Sequence, residues 1–114
     1  GSPLIAPLPR SQVEVAPVGI AFQRTHRHMD ELVRGQGVTR FHLLTRDGEH
    51  PSPCGQLLSA LVVAITITGT SPHTLKWWVP DGIETKQAQF MRGVAGQTVL
   101  EWLGKPAFPD GWRI

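Results

Sequence analysis

The chain has 114 residues, with 11 lysines and arginines against 9 aspartates and glutamates, for a net charge of +2. That length suits one domain, and an apolar content of 40% is enough to build a core without staples. Its single cysteine, Cys54, excludes an internal disulfide and fits a reducing, cytoplasmic setting. The most apolar run, Leu57 to Ile67, is far shorter than the roughly 20 residues of a membrane helix, so a soluble protein is expected. Charge is even along the chain: residues 1–57 carry 6 basic and 5 acidic side chains, and residues 58–114 carry 5 and 4. Nothing here reads as a charged tail for nucleic acid or membrane.

Gly1-Ser2 reads as a cloning remnant, which leaves 3–114 as a single domain. Residues 3–10 are too proline-rich for regular structure and read as an extended arm. From Gln12 to Phe22 apolar residues alternate around Pro17 and Gly19, the pattern of an edge strand with a bulge. Thr25 then caps a short helix through Arg34, with Met29, Leu32 and Val33 as its apolar stripe. Val38 to Thr45 reads as a strand closed by a turn at Arg46-Asp47-Gly48-Glu49. Ser52 caps the next helix, with Pro53 at its first position. Residues 56–68 point both ways: the front half favours helix, and the β-branched back half favours strand. After a turn at Gly69 to Pro72, residues 74–79 read as a strand or short helix. The longest helix, 85–103, is capped by Thr85 and carries Ala88, Met91, Ala95, Thr98, Val99 and Trp102 on one face, with Gly104 at its end. Gly93 and Gly96 lie inside it, so it either breaks there or uses them for close packing. Residues 105–114 form an irregular tail in which Phe108 and Trp112 are available to fold back. These elements predict an α+β fold, a small mixed or antiparallel sheet of three to four strands with two to three helices.

Two windows resemble the helix-turn-helix of DNA-binding regulators. The first is Gly69-Thr-Ser-Pro-His-Thr-Leu-Lys-Trp-Trp78, and the second is Gly93-Val-Ala-Gly-Gln-Thr-Val-Leu-Glu-Trp-Leu103. In each, a turn glycine precedes a threonine, an aliphatic residue and a tryptophan at matching offsets. In such regulators the second helix presents polar residues to base edges. The resemblance assigns that role to His73, Thr74 and Lys76, or to Gln97, Thr98 and Leu100. Thr70 stands where the first window calls for an apolar residue, and the second carries Glu101 with no basic residue. Five arginines fall between Arg24 and Arg46, beside His26, His28 and His42, and Arg24, Arg27 and Arg34 are the candidates for phosphate contact. Adjacent Trp77 and Trp78 cannot both be buried on one face, which suggests a partner-binding surface.

Two catalytic patterns remain. Thr25-His-Arg-His-Met-Asp30 resembles the metal-binding stretch of metallo-β-lactamase-like hydrolases, but Glu31 follows where a further histidine is needed and no later ligand set is visible, so no metal is expected. Cys54 at a helix start, with His50 or His73 as base, has the general arrangement of papain-like thiol hydrolases, without an identifiable oxyanion donor. The sequence therefore points to a non-enzymatic macromolecule-binding protein without a cofactor. Its most concrete form is a DNA-binding regulator of plasmid or phage type; the alternatives are a protein-binding inhibitor or adaptor acting through the exposed tryptophans and the Arg24–Arg46 surface and, last, a small thiol hydrolase using Cys54 and a histidine. A homodimer is compatible with each.

Overall fold

A computed structural model describes residues 16–75 and 79–113. Three helices make up the described part: α1 (Val18–Gly35), α2 (Pro53–Thr68) and α3 (Thr85–Leu103), with a single 3-10 turn at Pro72–Leu75. No strand or sheet occurs among the described residues; the β contacts are two isolated bridges, Leu44 with Pro51 and Ala107 with Arg113. The expected α+β fold is therefore corrected to an all-helical one.

The centre is α2. Its sixteen residues hold no charged side chain, and Leu57, Leu58, Leu61, Val62 and Ile65 are buried against α1 and α3. A helix apolar on most of its circumference belongs in the middle of a bundle. That position settles the ambiguity of residues 56–68 as helix, because neighbours on two sides outweigh the β preference of Val62, Val63, Ile65 and Ile67. Ser52 caps its start by accepting from the Gly55 N–H, Pro53 opens it, and Gly69 ends it in the left-handed conformation at φ 71°. Near its end the Thr66 and Thr68 hydroxyls donate to the Val62 and Ala64 carbonyls.

The edge strand expected from Gln12 to Phe22 is also corrected over the part described. Residues 18–22 are the first turn of α1, where Ala21 extends the buried stripe of Thr25, Met29 and Leu32 by one turn. With no neighbouring strand to share its hydrogen bonds, this stretch closes them within a helix. The beginning of that expected strand, residues 12–15, lies outside the described residues. The strand expected at Val38–Thr45 is irregular chain bridged only at Leu44. In the 74–79 segment the 3-10 turn covers Thr74 and Leu75, and Lys76, Trp77 and Trp78 lie outside the described residues.

The long C-terminal helix forms over the expected range and is unbroken at Gly93 and Gly96. Its cap is Glu84 rather than Thr85, and the Gln87 side chain accepts from the Glu84 N–H. The C-terminal tail folds back: Phe108 is buried and Trp112 packs on the core. The Ser71 hydroxyl donates to Asp110, tying that tail to the α2–α3 connection. Pro72 and Trp112 meet α3 at Gly96, where a Cβ would lie 2.7 Å from Pro72 Cγ and 2.9 Å from Trp112 Cη2. Around Gly93 that space is open.

The two glycines therefore have opposite expected responses. Gly96→Ala should lower stability by about 1–3 kcal/mol through overpacking. Gly93→Ala should raise it by about 1 kcal/mol through helix propensity. Urea unfolding of both variants checks the pair, and a stabilised Gly96→Ala would contradict this packing.

Candidate functional site

Between α1 and the chain at 40–46 lies an open cleft of about 730 Å³. Its apolar floor comes from Phe22 and Met29 on α1, and from Phe41 and Leu43 opposite. Its rim carries His26 and Asp30 on one side and Arg40, His42 and Arg46 on the other. An apolar floor with a few convergent polar groups is the usual make-up of a ligand site, and the volume falls in the ordinary range for one.

The helical wall is rigid because its inward stripe is part of the core. The opposite wall is irregular chain, yet it is anchored at both ends. At its start, Thr39 donates from its hydroxyl to Glu84, and its carbonyl accepts from Gln87 Nε2 at 2.9 Å, both at the head of α3. At its far end, the Ser52 N–H donates to the Leu43 carbonyl at 2.8 Å, and the Ser52 hydroxyl donates to the His42 carbonyl at 2.5 Å. The Leu43 backbone presses on α2 so closely that a Cβ on Gly55 would fall 2.0 Å from the Leu43 carbonyl oxygen.

The rim is weakly positive. Arg40 pairs with Asp30 at 2.5 Å and holds that carboxyl below the usual carboxylate range. Arg46 has no ion-pair partner among the described residues, so the rim carries one arginine more than its acidic groups offset. Below the floor is an anomaly. Thr25 is fully buried and lines the cleft, and its hydroxyl has no hydrogen-bond partner among the described residues. A buried threonine in a helix normally donates to the carbonyl one turn back, so this donor is not explained by the fold.

The sequence-derived candidates are scattered. Arg24 bridges to α3, donating to the Thr98 hydroxyl at 3.2 Å and pairing with Glu101, whose carboxyl it holds low. Thr98 is buried, and Gln97 bonds Glu101 from within the unbroken α3. Arg27 and Arg34 are exposed on α1, and His73 and Thr74 are exposed on the 3-10 turn. Lys76, Trp77 and Trp78 lie outside the described residues. His26 and His28, two apart on a helix, point to different sides and cannot share an ion; His28 instead pairs with Glu31 at 3.2 Å. Asp47, Glu49 and His50 approach one another on the surface, but Asp47 is already engaged. It accepts from the Thr45 hydroxyl and the Glu49 and His50 N–H groups, which hold its carboxyl well below the usual range.

Cys54 is buried at the start of α2, and burial pushes its thiol up. Neither proposed base is directed to it. The His50 ring bonds Asp47 at 2.7 Å, and the His73 ring packs edge-on against Trp112. Of the cleft residues, Arg46 entered the sequence reading only as the end of the arginine-rich stretch, Thr25 and Met29 as parts of a helix and Phe22 as part of a strand, and Phe41 was not singled out. The available signal was the alternation over 38–45, which reads as a strand and so conceals a wall.

Two measurements follow. Thr25→Val removes an unpaired buried donor at constant shape and should stabilise the fold by about 1 kcal/mol; a loss of stability in urea unfolding would show that the hydroxyl has a partner. Cys54 should react with a thiol reagent more slowly than free cysteine at pH 7 in a stopped-flow assay; faster reaction would restore the thiol-hydrolase reading.

Comparison with protein-family models, with curated proteins and with solved structures finds no significant match, so the function of the cleft rests on its own chemistry.

Proposed function

We propose that this chain is a non-enzymatic, protein-binding adaptor or inhibitor whose recognition surface is the cleft between α1 and residues 40–46. The observation that carries this reading is the apolar floor of Phe22, Met29, Phe41 and Leu43 under a rim whose Arg46 has no ion-pair partner among the described residues. Such a surface suits a partner that inserts an apolar side chain and sets an acidic group beside it. The Thr25 hydroxyl under the floor, without a partner among the described residues, is a second observation that favours an occupant. The expected arginine surface is thereby relocated. Arg24 bonds within the protein, and the arginines that matter are Arg40 and Arg46.

The DNA-binding reading draws no comparable support. Of the residues assigned to base edges, Thr98 is buried and bonded to Arg24, and Gln97 bonds Glu101. The second window has no turn, because α3 runs straight through it.

An apolar anion is the simplest probe of the cleft. Anilinonaphthalene sulfonate should bind the folded chain saturably at one site, and Arg46→Glu should weaken it by about three- to tenfold. Arg27→Glu, away from the cleft, should leave the affinity unchanged. Fluorescence titration reads both, with a cationic apolar dye as control. Equal effects of the two substitutions, or equal binding of the cationic dye, would remove the cleft from consideration.

A further inference from the structure

The two glycines inside α3 lie one turn apart on the same side of the helix, and packing explains only one of them. At Gly96, Pro72 and Trp112 occupy the space that a side chain would need. At Gly93, nothing among the described residues comes within 4 Å of the position a Cβ would take. A glycine there weakens the helix relative to alanine and makes no close approach in return. It opens instead onto a second cavity, of about 320 Å³, lined by Pro72, His73, Gln89, Arg92, Gly93 and Trp112. This cavity shares no lining residue with the cleft between α1 and residues 40–46.

Its walls are held by the fold. The Trp112 carbonyl accepts from the Phe108 N–H at 2.8 Å, the Trp112 N–H donates to Asp110 at 3.1 Å, and the indole tilts against Phe108 with 5.7 Å between centroids. Pro72 is buried, and the His73 ring stands edge-on to Trp112. Asp110 is engaged by the Ser71 hydroxyl and the Trp112 N–H and does not line the cavity. Arg92 does line it, is half-buried, and has no ion-pair partner among the described residues. Gln89, one turn nearer the start of α3, adds a side-chain amide. The lining thus combines flat apolar walls with a guanidinium and includes no acidic side chain.

We propose that this cavity binds a small, flat aromatic acid, with its ring over Gly93 against Pro72 and Trp112 and its anionic group at Arg92. Aromatic faces accept a planar ring, and a guanidinium fork matches the paired oxygens of an acid. The volume is at the small end for ligand sites, which suits a molecule of one or two rings. Room for that ring is the reason a helix-weakening residue stands at 93.

The probe is naphthoate, titrated into the full isotope-labelled chain and followed by amide and indole NMR shifts. Saturable shifts centred on the Gly93 amide and the Trp112 indole are expected. Gly93→Leu places a side chain in the vacancy and should weaken binding by about tenfold or more while the helix is kept. Arg92→Gln removes the charge and should cost about tenfold, whereas Arg27→Glu, remote on α1, should bind like the parent. Protonated naphthylmethylamine, the same ring with the opposite charge, should not bind. Shifts that avoid Gly93 and Trp112, or a Gly93→Leu variant that binds like the parent, overturn the site. Equal binding of the amine, or unchanged affinity in Arg92→Gln, overturns the acid as ligand. If Gly93→Leu fails to fold, the shift map and Arg92→Gln still decide the matter. Because the two cavities share no lining, failure here leaves the cleft reading as it was.

Discussion

The Leu43 carbonyl lies where a side chain on Gly55 would begin, with only 2.0 Å between that oxygen and an ideal Cβ. The contact requires a glycine, because the obstruction is backbone and cannot rotate away. It allows the chain after α1 to cross the first turn of α2 at a distance no other residue permits. Ser52 then secures the crossing from both of its polar ends, and its hydroxyl also accepts from the Gly55 N–H that starts the helix. One residue thus caps α2 and anchors the wall of the cleft. Cleft geometry and helix stability are coupled through it.

Around that anchor the three helices divide the work. The uncharged α2 supplies the centre and has little polar surface on which to build a site. Opposite it, α3 serves as a frame. Its head holds Thr39, its tail holds Arg24 of α1, and its midpoint at Gly96 receives Pro72 and Trp112. The remaining helix, α1, presents its core stripe inward, and beside that stripe Phe22, His26 and Asp30 reach the cleft. In the proposed function, recognition falls to the segment that joins α1 to α2, a connection held on a rigid scaffold, which is where binding functions commonly reside.

The features of the site that suggest an occupant are all unpaired groups. Among the described residues they are an arginine without a carboxylate and a buried hydroxyl without an acceptor. Folded chains seldom leave a buried hydroxyl unpaired without cause. The thiol candidate has the opposite profile: Cys54 is buried and pushed toward its neutral form, and the two candidate bases, His50 and His73, are engaged elsewhere. No helix among the described residues is long and apolar enough to cross a membrane.

Local chemistry was readable from the sequence where it is enough to decide structure. Ser52-Pro53 as a helix start, the left-handed glycines at 69 and 104 as helix ends, and the stripe that carries α3 past its glycines all follow from rules acting within a few residues. The choice between helix and strand for 18–22, 38–45 and 56–68 did not, because a strand exists only if another strand lies beside it. Residues 56–68 became helix because α1 and α3 cover two of their sides, and 38–45 stayed irregular, bridged only at Leu44, because its neighbours are helices and a loop. The site was concealed for the same reason. Sequence alone determined that this is a small apolar-cored chain without a complete catalytic set, with its arginines concentrated between 24 and 46. Only the tertiary structure decided which of those arginines find partners among the described residues. Charge pairing across the fold draws Arg24 to α3 and Arg40 to Asp30, and leaves Arg46 at the mouth of the cleft.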